Sequence, residues 1–266
     1  MPLFTDQMGR DIYLEKTPRR IISLVPSQTE LLYSLGLETE VVGITKFCVH
    51  PAEWLATKTR VGGTKQINIQ TIKQLQPDLI IANKEENVKE QIEALASDYP
   101  VWISDVNNLN DALQMILSVG TITGKSTKAE TLIATIENQF AKLKMPDIKP
   151  RVCYLIWQNP YMTVGGDTFI SHMLQQAGFE NIFAHQLRYP VITLEELSTM
   201  NYELLLLSSE PYPFSQKHID ELQPLLPGKK ILLVDGELFS WYGSRLQYAP
   251  EYFRQLQAVS RELRAK

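Results

Sequence analysis

The chain has 266 residues, 44% of them hydrophobic and 21% charged, an ordinary globular composition that can supply one large core or two smaller ones. Its formal net charge is −4 and it carries no dense Lys/Arg run, which argues against a protein that works on nucleic-acid phosphates. Two cysteines, Cys48 and Cys153, are too few for a disulfide framework and read as free, buried thiols. Residues 1–16 (MPLFTDQMGRDIYLEK) lack a cationic stretch followed by an apolar one. No secretory signal is therefore expected, and the location read from it is cytoplasmic, with periplasmic as the alternative if the N-terminus has been trimmed. No apolar run approaches the roughly 20 residues that span a bilayer, so the chain is not expected to cross a membrane.

Arg20–Val25 is a short β-branched run and reads as a buried strand. Ser27-Gln28-Thr29-Glu30 then has the spacing of a capping box for a helix that stops at Gly36. Val41–Ile44 is the next strand, and strand–helix–strand within about thirty residues is the unit from which parallel sheets are built. The order recurs: Asn68 caps a helix through Leu75, Asp78–Ala82 is a strand, Val88–Ala96 a helix and Val101–Ile103 a strand. In the second half Arg151–Ile156 is a strand, followed by a helix ending near Gly178. Thr193-x-x-Glu196 is another capping box, Leu204–Leu207 a strand, Ser215–Leu225 a helix and Lys230–Val234 the closing strand. INIQTIKQLQPDLIIAN and ITLEELSTMNYELLLLS align without a gap in pattern, which points to one architecture used twice.

Between the halves, Leu132, Ile133, Ile136, Phe140 and Leu143 fall at helical spacing within 125–145, with Gly124 before and Pro146 after. A helix of about twenty residues is roughly 30 Å long and stiff. The expected fold class is α/β: two Rossmann-like lobes with parallel sheets, bridged by one long α-helix. The expected boundaries are 1–120 for the N-terminal lobe, 121–146 for the bridging helix and 147–266 for the C-terminal lobe. In parallel sheets ligands collect at the carboxyl ends of strands, so the ligand is expected in the cleft between the lobes.

Loops of the second half are rich in aromatic residues: Trp157, Tyr161, Tyr189, Tyr212, Phe214, Trp241 and Tyr242. Such side chains supply large rigid faces for a planar or apolar ligand, or else cover the core beneath the loops. Arg188 and Arg245 add cationic forks, and Lys65 and Lys84 offer charge from the first half. His50 stands near Cys48, but two residues do not make a metal site, and no metal is expected to be held by the protein itself. His172, His185 and His218 read as structural or exposed. Gly62-Gly63 and Gly165-Gly166 read as turn glycines that form neither a Walker loop nor a dinucleotide fingerprint. No Ser/His/Asp or Cys/His logic emerges, and no catalytic residue is assigned.

RIISLVPSQTELLYSLG, the Val42-Gly43 strand, LQPDLIIAN, the central helix, GFENIF and VDGELFSWYGSR together resemble the class III, helical-backbone substrate-binding proteins of ABC transporters. The resemblance runs from about Arg20 to the C-terminus, and the similar members are the vitamin B12-binding and ferric-siderophore-binding ones. It implies capture of an iron–siderophore, haem or corrinoid for delivery to an ABC permease by a monomer with no intrinsic cofactor. It further implies a corrinoid wall in which His50 replaces a tyrosine and Tyr189 a tryptophan, while Thr64-Lys65 and Asn83-Lys84 stand where first-lobe tryptophans are missing. It implies one permease-docking glutamate per lobe: Glu195 fits the second, and Gln70 occupies the first. The competing reading is a cytosolic cofactor- or metal-handling enzyme or chaperone, chelatase-like, using His50 and Glu85. A third is a sensor whose partner docks through Glu195.

Overall fold

The computed structural model describes residues 2–265. They divide into two compact units: Met1–Val106, Asn110–Thr135 and Trp241–Arg245 form the first, and Asn107–Leu109, Ile136–Ser240 and Leu246–Lys266 the second. Among the described residues no helix is long and apolar enough to cross a membrane.

Unit 1 opens with an antiparallel hairpin, β1 (Leu3–Thr5) and β2 (Asp11–Tyr13). Its turn is held by Asp6, whose carboxylate accepts from the backbone of Met8 and Arg10 at 2.9 Å each. The main elements follow as β3 (Ile21–Ser23), α1 (Pro26–Ser34), β4 (Val41–Ile44), α2 (Ala52–Thr57), β5 (Thr59–Arg60), α3 (Ile69–Leu75), β6 (Leu79–Asn83), α4 (Lys89–Ala96) and β7 (Val101–Ser104). The strands pair in the order β5-β4-β3-β6-β7, all parallel. Every residue of β3 and β6 is buried, the continuous apolar pattern of strands covered on both faces. Two helices close the unit, α5 (Leu109–Ile122) and α6 (Ser126–Phe140). A Cβ on Gly120 would stand 2.3 Å from that of Ala129, so their approach requires glycine there.

The helix expected over 125–145 is shorter, 15 residues ending at Phe140. The amides of Lys142 and Leu143 bond back to Gln139 and Phe140, a tighter last turn of three-residue reach, and Pro146 cannot extend the ladder. The helix belongs to unit 1 through Thr135 and to unit 2 from Ile136.

A second departure concerns α1. The helix begins at Pro26, and its N-cap is Val25, which has no polar side chain to cap it. Proline has no N–H to lose and its φ is already helical. Ser27 therefore lies inside the helix with its side chain buried and caps nothing, and Glu30 is engaged elsewhere. At the other end the expectation holds: Gly36 has φ +75°, and Leu37 N–H reaches Leu32 O while Gly36 N–H reaches Tyr33 O, a Schellman termination.

Unit 2 comprises β8 (Arg151–Leu155), β9 (Tyr161–Met162), α7 (Phe169–Gln176), β10 (Glu180–Asn181), β11 (Val191–Ile192), α8 (Leu194–Thr199), β12 (Leu204–Ser208), α9 (Gln216–Leu222), β13 (Lys230–Val234), α10 (Glu237–Ser240) and α11 (Ala249–Ala265). The parallel sheet runs β10-β8-β12-β13, and β9 and β11 form a separate antiparallel ribbon. Phe253 of α11 is fully buried against Phe239 and Phe140, with centroids 4.9 and 6.4 Å away. Helices α2, α5 and α11 are not among the sequence-based expectations.

The internal match is visible in the caps. Asn68 Oδ1 accepts from Thr71 N at 3.0 Å. Thr193 Oγ1 accepts from Glu196 N at 3.1 Å, and the Glu196 carboxylate returns to Thr193 N at 2.7 Å. We predict that Thr193→Ala lowers the unfolding free energy by about 1 kcal/mol. Ser27→Ala is expected to cost less, because Ser27 lies inside its helix and caps no backbone amide there. Urea titration of the two variants checks the pair.

Candidate functional site

In each unit the parallel strands bring their following loops to one edge of the sheet. In unit 1 these are the loops after β3, β4, β6 and β7. Across them lies Trp241–Arg245, which the sequence assigns to the second half but which packs with unit 1. Trp241 meets His50 edge-on, with centroids 5.6 Å apart. The Tyr242 hydroxyl donates to Glu86 Oε1 at 2.8 Å. Gly243 passes so near Ser27 that a Cβ would stand 2.9 Å from its carbonyl oxygen. Arg245 forms a two-pronged pair with Glu30, Nε to Oε2 at 3.0 Å and Nη2 to Oε1 at 2.6 Å, and its guanidinium sits 4.8 Å over the Trp241 ring.

Trp241 and Tyr242 are buried. Burial, reinforced by the Glu86 and Glu85 carboxylates, holds the Tyr242 phenol well above the usual tyrosine range. Trp241, Tyr242 and Arg245, expected as ligand contacts of the second lobe, thus belong to unit 1 and are engaged with its own groups.

The first-half lysines are also engaged. Lys84 pairs with Asp105 at 2.6 Å, and Lys65 Nζ donates to Glu85 O at 2.5 Å. Cys48 is buried, with Sγ 3.0 Å from Thr29 Oγ1 and 3.2 Å from Thr45 Oγ1, and burial pushes its thiol up. Among the described residues no cluster of His, Cys, Asp or Glu is arranged to hold a metal ion. Phe47 is 52% exposed with Lys46 Nζ 5.1 Å over its ring. It is an apolar face at this edge that sequence reasoning passed over, since one phenylalanine in a loop carries no pattern.

In unit 2 the aromatic loops do converge. Trp157, after β8, is 40% exposed and meets Tyr212, after β12, at 5.6 Å. Tyr212 leans on Phe214 at 4.7 Å, and Phe214 is buried. Beneath them is a hydrogen-bond chain absent from the sequence expectations. Ser215 N–H donates to His218 Nδ1 at 2.9 Å, His218 Nε2 lies 3.2 Å from the Tyr212 hydroxyl, and that hydroxyl donates to Gln158 Oε1 at 2.7 Å. Gln158 Nε2 in turn reaches the Tyr161 hydroxyl at 3.3 Å. His218 fills the third helical position after Ser215, where a glutamate completes the usual capping box. Ser-x-x-His was the readable signal.

Arg188 and Tyr189 lie on the neighbouring loop, with the guanidinium 5.5 Å over the Tyr189 ring. Arg188 has φ +59°, and its amide donates to Asp167 Oδ1 at 2.6 Å. Gly165 and Gly166, expected as turn glycines, instead serve close approach. Their amides donate to Arg188 O and Gln186 O at 2.7 and 2.9 Å, and a Cβ on Gly166 would stand 2.1 Å from Ala184 O. The positive-φ glycine of the two pairs is Gly62, at +100°.

Gln70 and Glu195 are both exposed. Each is the second residue of its helix, α3 and α8, so the sequence match places them at equivalent positions.

A family model described as periplasmic binding protein matches residues 21–224. The chain is 27% identical over 208 residues to the uncharacterized ABC transporter substrate-binding lipoprotein YvrC of Bacillus subtilis, a match covering 74% of this chain and 65% of that protein. It is likewise 27% identical to the vitamin B12-binding protein of Vibrio parahaemolyticus, covering 71% of this chain and 70% of that one. In structure it superimposes on the periplasmic haem-binding protein RhuT of Roseiflexus sp. RS-1 with a TM-score of 0.75 at 20% identity, covering 92% of this chain and 99% of that one. That likeness shows the fold, α/β with two parallel-sheet lobes.

The cytoplasmic location expected from residues 1–16 is overturned: relatives of this kind are periplasmic proteins or lipoproteins that act outside the cytoplasmic membrane. The chelatase-like alternative falls with it, because these are binding proteins, not enzymes, and they carry no cofactor of their own. With the match running from the first strand of one parallel sheet into the other and covering well over half of its length, the chain belongs to the periplasmic binding protein family.

Proposed function

We propose that the chain is the substrate-binding protein of an ABC-type uptake system, taking up a metal chelate or corrinoid of the iron–siderophore, haem or cobalamin type. The observation that carries this reading is the aromatic cluster of unit 2, where Trp157 stays 40% exposed while braced edge-on by Tyr212. A large aromatic face kept open to solvent but held rigid favours a broad planar or apolar ligand. The vitamin B12-binding relative supports the same class.

Trp157, Tyr161, Tyr189 and Tyr212 are the proposed ligand contacts of unit 2, with Arg188 as its cation. His50 and Lys65 are those of unit 1. Lys84 is neutralised by Asp105, and Trp241, Tyr242 and Arg245 shape the edge on which His50 stands. The protein acts as a monomer, and Glu195 carries the charge read by a permease arginine, a role Gln70 cannot share.

Titration of tryptophan fluorescence and ligand absorbance with cobalamin, haem, a ferric hydroxamate and a ferric catecholate tests this. Micromolar or tighter binding of at least one is expected, and none across the panel overturns it. Glu195→Lys is expected to leave that affinity unchanged and to abolish permease-coupled uptake.

A further inference from the structure

The chain of bonds beneath the aromatic cluster has a fixed direction. The Ser215 amide can only donate, so His218 Nδ1, 2.9 Å away, must be the bare acceptor nitrogen. A neutral imidazole then carries its proton on Nε2 and gives it to the Tyr212 oxygen at 3.2 Å. The single Tyr212 proton is left to donate, and Gln158 Oε1 receives it at 2.7 Å. The Gln158 amide orientation agrees with this direction: flipped, its NH2 would face the phenol oxygen on which His218 already donates, and the Tyr212–Gln158 bond of 2.7 Å would be lost. Gln158 Nε2 thus donates to the Tyr161 oxygen at 3.3 Å. His218 is buried at 2% exposure, which shields the start of the chain from water. The chain ends at a half-buried Tyr161, whose oxygen is already an acceptor and whose own proton is still to be given.

Resting on the function proposed above, we propose that Tyr161 is the specificity-determining hydrogen-bond donor to an acceptor oxygen of the ligand, a carboxylate, hydroxamate or amide carbonyl. The His218–Tyr212–Gln158 chain presets its polarity. Because every upstream group donates toward Tyr161, the phenol is a donor before the ligand arrives and needs no reorientation on binding. The donation is strengthened along such a chain, since each bond polarises the next. His218, Gln158 and the Tyr212 hydroxyl position Tyr161 in this scheme, while the Tyr212 ring remains a ligand contact and braces Trp157.

The test is a double-mutant cycle with Tyr161→Phe and Tyr212→Phe, titrated with whichever of cobalamin, haem, ferric hydroxamate or ferric catecholate the unmodified protein binds. Phenylalanine keeps both rings and removes only the hydroxyls. Tyr161→Phe is expected to weaken binding about tenfold. Tyr212→Phe is expected to weaken it about threefold in the unmodified background and not at all once Tyr161 is phenylalanine, which a merely structural Tyr212 hydroxyl would not produce. Affinity within twofold of the original for Tyr161→Phe, at unchanged circular dichroism, overturns the proposal and leaves the binding function standing. An equal Tyr212→Phe loss in both backgrounds overturns the relay. Failure of the unmodified protein to bind any of the four overturns the function and this inference with it.

Discussion

Arg245→Ala is expected to lower the unfolding free energy by about 3 kcal/mol, near the lower end of what breaking a buried ion pair costs. Arg245 and Glu30 retain 16% and 18% side-chain exposure, so water screens the pair incompletely. The two parallel contacts, at 3.0 and 2.6 Å, are the geometry in which a guanidinium and a carboxylate gain most. Removing the arginine leaves Glu30 largely desolvated on α1 without its partner and takes the cation from above the Trp241 ring. Glu30→Ala is expected to cost a similar amount. The double variant should cost clearly less than the two single losses together, since neither charge is then stranded. Urea titration measures all three. If Arg245→Ala unfolds at the original urea concentration and loses ligand affinity instead, the side chain is a ligand contact, as its place among aromatic residues suggests in sequence.

That contrast shows what sequence conveys here and what it does not. Asn68 and the Thr193–Glu196 box are legible because a cap is decided within four residues. The strands at Val41–Ile44 and Lys230–Val234 match the expected bounds residue for residue, because each is a short run rich in β-branched and leucine residues set off by its flanking sequence. Ser27-x-x-Glu30 satisfies the same local rule as Thr193-x-x-Glu196 and fails. Pro26 moves the helix start, and a partner 215 residues away takes the glutamate. Periodicity carries no trace of such a contact. The placement of Trp241–Arg245 in unit 1 is unreadable for the same reason: chain order assigns it to the second half, and three-dimensional packing assigns it to the first. The unit 2 aromatics converge because they follow neighbouring strands β8 and β12, so strand order alone brought Trp157 and Tyr212 together.

Stability is expected to fall steeply above pH 9, more than the chain's small net charge would suggest. Cys153 lies fully buried in β8, and burial raises its thiol from the ordinary 9.0 to about 12. Tyr154, beside it in the same strand, is raised further by burial, and Tyr202 and Tyr252 of unit 2 are raised for the same reason. For an acid held protonated in the folded state, the sign is fixed. Below its unfolded value both states keep the proton and stability is full. Above that value the unfolded chain releases it and the folded one does not, so stability falls with rising pH until the folded value is passed. For Cys153 that window runs from 9.0 to about 12, and the loss is roughly 3 kcal/mol by about pH 11. The buried tyrosines add to it from about pH 10 upward, together a large share of the about 5–15 kcal/mol that holds a typical domain. Tyr242, raised well above its usual range by burial and by Glu86, acts in the same direction on unit 1. Urea midpoints at pH 7, 9, 10 and 11 are expected to drop progressively. Beyond the contribution of exposed tyrosines such as Tyr13 and Tyr248, tyrosinate absorbance should appear together with unfolding, not ahead of it. Cys153→Val is expected to flatten the fall between pH 9 and 10, where the tyrosines are still silent. A midpoint that holds level to pH 11 would mean these side chains reach water without unfolding.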